Sequence, residues 1–277
     1  MKHLRATIAL FITLVSCPLL VPISNAKLPS DDLQIVLPSV TVHYSLAQLK
    51  AKLKPVEVTL YDPNYKKAMT FEGFPLLALL KVAGLSQSAG GDEVVFTAQD
   101  GYAPNTNFEM LRLHHAIVAY REKGSFTFAK LAQGKAMVSP APYYLVWEEG
   151  ENLADNVPWP YQLVKIEVVN FKEKFGKLYP EGVVVDDAVM KGFKTFKNEC
   201  IRCHSINLQG GEIGPELNVP LNITEYWSAD TLLRFIPDAS SFRYKSKMPP
   251  FPKLDKMQVE QVIEYLKYMK DFKIRQP

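Results

Sequence analysis

The sequence predicts a multidomain chain in which an α+β N-terminal domain is followed by an all-α C-terminal domain. Strand-like and helix-like segments alternate across residues 27–170, whereas residues 183–277 read as a succession of helices. Between them, residues 171–182 read as a linker: 171–177 are rich in charge, and Tyr179-Pro180-Glu181-Gly182 is turn-like. A chain of 277 residues has room for two domains. The formal charge of +3, with Lys and Arg dispersed among Asp and Glu, argues against a nucleic-acid partner.

The first 26 residues read as a signal peptide. Lys2, His3 and Arg5 form a basic start, residues 6–21 form an apolar run, and Ser24-Asn25-Ala26 supplies small residues at a cleavage site. Pro18 and Pro22 interrupt the run, which argues for cleavage over a retained anchor. Leu14-Val15-Ser16-Cys17 also fits a bacterial lipoprotein signal, in which case acylation of Cys17 would tie the protein to a membrane. Either route exports the chain, and the expected location is the bacterial periplasm.

In the mature N-terminal segment, Gly73-Phe74-Pro75 opens a short helix with Leu76, Leu77, Leu80 and Ala83 on its apolar face and Gly84 as its stop. Residues 94–98 read as a strand closed by an Asp100-Gly101 turn, and residues 116–120 and 143–147 as further strands. Val164, Ile166 and Val168 alternate with Lys165 and Glu167, predicting a half-buried strand. In the C-terminal segment, residues 186–200 form one helix, 228–236 a second capped by Ser228, and 256–271 a third. Asp255 and Gln258 approximate a capping box for the third, whose stripe is Val259, Val262, Ile263, Leu266 and Met269.

With Cys17 in the leader, only Cys200 and Cys203 remain, followed directly by His204. Two cysteines at this spacing could form a disulfide or a redox pair, but the adjacent His decides otherwise. Two thiols one helical turn apart can add to the two vinyl groups of a single haem, and the next imidazole then lies beneath the iron. The surroundings agree. Gly192, Phe196 and Cys200 share a helix face, where the Gly permits close approach of another helix and the Phe packs on haem or on that helix. In Gly214-Pro215-Glu216-Leu217, the Pro215 carbonyl can accept the free imidazole N–H and fix its orientation. Lys247-Met248-Pro249-Pro250-Phe251-Pro252 is a rigid loop presenting a thioether.

These residues, from about 183 to 277, make the C-terminal segment resemble class I cytochrome c. The resemblance implies a small helical fold around one covalent haem c, with His204 and Met248 as axial iron ligands and electron transfer as the activity. Met190, Met257 and Met269 sit at helical spacing and read as core residues, whereas no helix stripe requires Met248.

The run from Phe71 to Gly84, the Asp100-Gly101-Tyr102 turn, His115-Ala116-Ile117-Val118-Ala119-Tyr120, and Pro142-Tyr143-Tyr144-Leu145-Val146 follow in order. In that order they resemble the molybdopterin-binding domain of the sulfite oxidase superfamily. The family's molybdenum is held by a cysteine thiolate, yet no Cys occurs between Lys27 and Glu199, so no molybdenum centre is expected. His43, His114 and His115 read as surface or hydrogen-bonded histidines rather than metal ligands, and Tyr143, Tyr144, Trp147, Trp159 and Tyr161 as core or interface aromatics. Nothing pairs Asp62, Glu72 and Asp100 for acid–base work, and no catalytic residue is assigned. Two readings follow. In one the protein is an electron carrier whose N-terminal domain docks it to a redox partner protein. In the alternative it is a molybdopterin oxidoreductase fused to its own haem acceptor.

Overall fold

The computed structural model describes residues 31–86, 91–133, 136–154 and 156–275. The signal sequence expected over residues 1–26, with Cys17, lies outside the described residues. In chain order the sheet-rich region contains β1 (Leu33–Leu37), β2 (Val40–Tyr44), α1 (Leu46–Lys52), β3 (Val56–Asp62), β4 (Lys67–Pro75) and α2 (Leu76–Val82). It continues through β5 (Glu93–Ala98), β6 (Asn105–Asn107), α3 (Met110–Leu113), β7 (Ala116–Glu122), β8 (Leu131–Gln133), β9 (Ala136–Val138), β10 (Tyr144–Trp147) and β11 (Leu163–Val169).

A five-stranded sheet runs β2-β1-β11-β5-β6 and a four-stranded sheet runs β10-β7-β4-β3. Only β1 and β11 pair parallel within them; the other pairs are antiparallel. The main core draws Ile35, Phe96 and Ile166 from the first sheet, Val118 and Trp147 from the second, and Leu76, Leu79 and Leu80 from α2. Odd and even positions of β7 go to different cores: Val118 and Tyr120 join this one, while Ile117 and Ala119 join Phe71, Phe128 and Tyr144 on the far side. Burial on both faces explains why residues 116–120 are uninterruptedly apolar. The α2 helix begins one residue after Pro75, which ends β4, and its buried face uses Leu79 where Leu77 had been expected.

The helical region comprises α4 (Phe171–Phe175), α5 (Ala188–Thr195), α6 (Ile223–Tyr226), α7 (Ala229–Phe235) and α8 (Lys256–Met269). A π-helical turn, Phe196–Cys200, continues α5, so the helix expected over 186–200 changes its winding immediately before the paired cysteines. Ser228 caps α7, and Asp255 with Gln258 makes a complete capping box on α8.

Residues 171–182, expected to be a linker, are folded. Phe171, Phe175 and Leu178 are buried in the same core as Phe193, Tyr265 and Met269. The Phe171 ring lies 5.0 Å from Phe175 and 6.3 Å from Phe193, and the Tyr265 hydroxyl donates to the Leu178 carbonyl at 2.8 Å. The charges that suggested a linker lie between these apolar residues and face outward: Lys172 and Glu173 are exposed.

Asp31–Pro277 is one compact unit, and its two regions share a face. Val95 points from β5 into the helical core, opposite to Val94 and Phe96. Buried Glu93 pairs with Lys197 at 2.6 Å, and the same ammonium lies 4.1 Å from the Phe171 ring centre. Both faces of the β11 strand are at least partly covered, rather than one being open to solvent. Glu167, although charged, is only 8% exposed, held by Lys165 at 2.7 Å and Lys174 at 2.8 Å. Burial raises its carboxyl pKa, and the two lysines more than reverse the shift.

The tightest contact is where α5 crosses α8. A Cβ on Gly192 would fall 1.9 Å from the Gln261 carbonyl oxygen and 3.0 Å from the Tyr265 Cβ. A backbone obstacle cannot rotate away, so the helices would have to separate. Gly192→Ala is therefore expected to destabilise the protein by about 3 kcal/mol, the upper part of the range for overpacking. Gly176→Ala, where nothing lies within 4 Å of the added carbon, should be neutral or slightly stabilising. Guanidinium denaturation followed by circular dichroism measures both.

Candidate functional site

The π-helical turn delivers Cys200 to the lining of a cavity of about 590 Å³ formed mainly by the helical region. Cys203 and His204 follow on a tight turn, their backbone N–H groups both donating to the Cys200 carbonyl at 3.0 and 2.9 Å. The next loop wraps the motif: Gly211 N donates to Ile201 O at 2.7 Å, and Gly214 N to Cys203 O at 2.7 Å. Gly214 packs against the imidazole, for a Cβ there would lie 2.6 Å from His204 Cε1.

The His204 ring is held at one nitrogen. Its Nδ1 lies 2.9 Å from the Pro215 carbonyl oxygen. A carbonyl only accepts, so Nδ1 carries the proton and Nε2 keeps its lone pair. Burial lowers the imidazole pKa, against smaller upward pulls from the Pro215 carbonyl and Glu216, and so favours the neutral imidazole. Burial likewise pushes the Cys200 thiol up to about 12 and the Cys203 thiol up to about 11, so both are neutral thiols.

Cys200, Cys203, His204, Pro215 and Met248 all line this cavity. Met248 is half-buried, its N–H donating to Ser246 Oγ at 3.2 Å, and Phe251 N anchors its loop to the Pro237 carbonyl at 2.9 Å. The walls are largely apolar, from Phe196, Leu217, Trp227, Leu232, Val262 and Leu266. Phe196 packs on Tyr265 of α8 at 5.3 Å, the helix contact expected of it, and also lines the cavity. A volume in the range of cofactor pockets, apolar walls, paired thiols and an oriented imidazole together fit a haem group. Among the other methionines, Met190 and Met269 are buried as expected, but Met257 is 63% exposed. It sits in the first turn of α8, off the stripe formed by Val259, Val262, Ile263 and Leu266.

Three buried asparagines that sequence reasoning passed over tie the loop after His204 to the end of α8. Asn207 Nδ2 donates to Lys177 O and Phe272 O, Asn218 Nδ2 to Asn207 Oδ1 and Met269 O, and Asn222 Nδ2 to Asn218 Oδ1 and Leu266 O, all at 2.7–3.0 Å. They thereby satisfy carbonyls that a helix end leaves without partners. Glu216 organises the same loop, its carboxylate accepting the N–H groups of Asn207, Leu208, Asn218 and Val219. Unusual Asn frequency over residues 207–222 was the one available signal.

The remaining candidates stay apart. His114 binds Glu149 at 2.9 Å, His115 binds Glu148 at 3.0 Å, and His43 lies against Gln34. Among the described residues no group of three or more His, Cys, Asp or Glu could hold a metal ion. Asp62 is buried in its own turn, accepting from Asn64 N, Tyr65 N and the Tyr144 hydroxyl; Glu72 pairs with Arg121; Asp100 accepts from Tyr102 N. The expected aromatic cluster is packed: Tyr143 and Trp147 in the main core, Tyr144 in the second, with Trp159 and Tyr161 against it. No helix among the described residues is long and apolar enough to cross a membrane.

This arrangement, two thiols and an oriented imidazole on one cavity, defines a c-type cytochrome domain. The family described as cytochrome c oxidase, cbb3-type, subunit III matches residues 187–266, the stretch from the α5 cap to the Leu266 turn of α8. The chain thus combines a sheet-rich N-terminal region with a helical cytochrome c domain that supports haem c binding and a haem-based role in electron transfer. No curated protein matches the sequence.

Asn218→Ala would remove the side-chain donor to the buried Met269 carbonyl, one of the two donors to Asn207 Oδ1 (the Ile274 N–H remains) and the Asn218 Oδ1 acceptor of Asn222 Nδ2. A loss of about 2–3 kcal/mol is expected, the cost of unpaired buried polar groups. Denaturant titration of the two proteins measures it.

Proposed function

We propose that this protein is an exported, periplasmic mono-haem c-type cytochrome that passes single electrons to or from a redox partner protein. Cys200 and Cys203 would hold haem c covalently, His204 and Met248 would ligate its iron, and the Pro215 carbonyl would orient His204. The observation that carries this reading is the convergence of both thiols, the imidazole and the thioether on one apolar cavity. When bound, haem supplies reversible one-electron chemistry at its iron. The chain's own residues determine how that chemistry is used. Pro215 keeps the His204 lone pair directed away from its carbonyl, and the neutral Met248 thioether favours the reduced state over harder ligands. The largely apolar walls disfavour water in the cavity. With two strong ligands supplied by the protein, no coordination position is left for a substrate, which supports a carrier over a catalyst.

The N-terminal region is a docking platform without molybdenum. The absence of any Cys between Lys27 and Glu199 supports that assignment, since a molybdenum centre of the resembled type would have no protein thiolate. Cleavage after Ala26 releases the mature chain; acylation of Cys17 would instead hold it at a membrane.

In oxidised protein, the weak far-red sulfur-to-iron absorption band is expected, and Met248→Ala should abolish it. Met257→Ala, an exposed thioether outside the cavity, should leave it intact. Metal analysis of the same preparations should find one iron per chain and no molybdenum. A band that survives in Met248→Ala would overturn the ligand assignment, and stoichiometric molybdenum would overturn the carrier reading.

A further inference from the structure

The turn that closes β5 rests directly on the Cys200–His204 motif. Gly101, at φ +87°, lets the chain reverse there, and Ala98 N donates to Tyr102 O at 2.8 Å to close the turn. Both sides of Tyr102 are then bonded across to the helical region. Ala103 N donates to the Arg202 carbonyl at 2.9 Å, and Glu212 N donates to the Gly101 carbonyl at 3.3 Å. The fit is close, since a Cβ on Gly101 would lie 3.3 Å from the Glu212 Cβ. Held at both ends, Tyr102 projects into the lining of the same cavity as Cys203 and His204, together with Arg202.

We propose that the sheet-rich region completes the haem site through Tyr102, a positioning residue whose hydroxyl holds the Arg202 guanidinium at the cavity and so raises the reduction potential of the haem bound there. This rests on the haem-binding reading of the cavity. Tyr102 and Arg202 both line the cavity, and the two side chains interact. In such a contact the guanidinium donates and the phenol oxygen accepts. Arg202 Nη2 also donates to Glu199 at 3.2 Å and to the Asn198 carbonyl. Burial raises the Tyr102 pKa, so the phenol stays neutral and leaves the arginine's charge in place. Reduction lowers the positive charge at the iron. A fixed cation beside the site in a medium less polar than water therefore favours the reduced state. The consequence is that the N-terminal region does more than dock: it supplies part of the environment of the redox centre.

The test is a redox titration of full-length holoprotein carrying Tyr102→Phe, Arg202→Gln, or both, with covalent haem content checked first. Tyr102→Phe should shift the midpoint potential downward, Arg202→Gln should shift it further, and the double variant should match Arg202→Gln alone. An unchanged potential in Tyr102→Phe would overturn the proposal. So would an equal shift from Tyr102→Phe in both backgrounds, because the phenol would then not act through the arginine. Wild-type protein without covalent haem would instead refute the reading of the cavity on which the proposal rests.

Discussion

The closeness of α5 and α8 at Gly192 is the constraint on which the helical region depends. With Gln261 O only 1.9 Å from where a Cβ would stand, the two backbones meet without a side chain between them. That proximity lets Phe193 and Phe196 reach Tyr265 at 5.7 and 5.3 Å and lets the Tyr265 hydroxyl reach back to Leu178. The paired cysteines begin where α5 runs into its π-helical turn, so their position relative to the cavity follows from the angle and depth of this crossing. The asparagines at 207, 218 and 222 lock the C-terminal end of α8 and the turn after it to the loop carrying Pro215. The middle and the end of one helix thus set the positions of the elements that carry the thiols and the imidazole.

The second dependency is the shared face between the two regions. Val95, Glu93 and the Asp100–Ala103 turn all come from the sheet-rich region, yet they pack against the helical core, Lys197 and the cysteine motif. Phe171 to Leu178 belongs to the same packing, so the chain passes between the regions through buried structure. The β5 turn is bonded to the cysteine motif and to the loop after it through Ala103 N to Arg202 O and Glu212 N to Gly101 O.

Much of this was legible in the sequence where a residue's local role determines its place. The capping box of Asp255 and Gln258, the Ser228 cap, the Asp100-Gly101 turn and strands β5, β7, β10 and β11 depend on short-range chemistry, which a linear pattern records. Cys200, Cys203, His204 and Met248, singled out by residue type and spacing, line one cavity. What escaped notice depends on distant partners. Phe171, Phe175 and Leu178 stand among charges and become core only because Phe193 and Tyr265 cover them. Glu167 is buried because two lysines meet it, one of them from α4. Met257 shares the helix of a core stripe but occupies its outer face. The three asparagines are polar residues in a loop until α8 presents its last carbonyls to them. The hairpins β1–β2 and β3–β4 have amphipathic edges whose pairing is fixed across the sheet, and they too were unread.

The central claim is that Cys200 and Cys203 are joined to one haem beside His204. Peptide mapping by mass spectrometry under denaturing conditions tests it most directly, using protein from cells that mature c-type cytochromes. The peptide containing both cysteines should carry the mass of one haem after denaturation and digestion. Recovery of that peptide at its bare mass, with two free thiols, would contradict it.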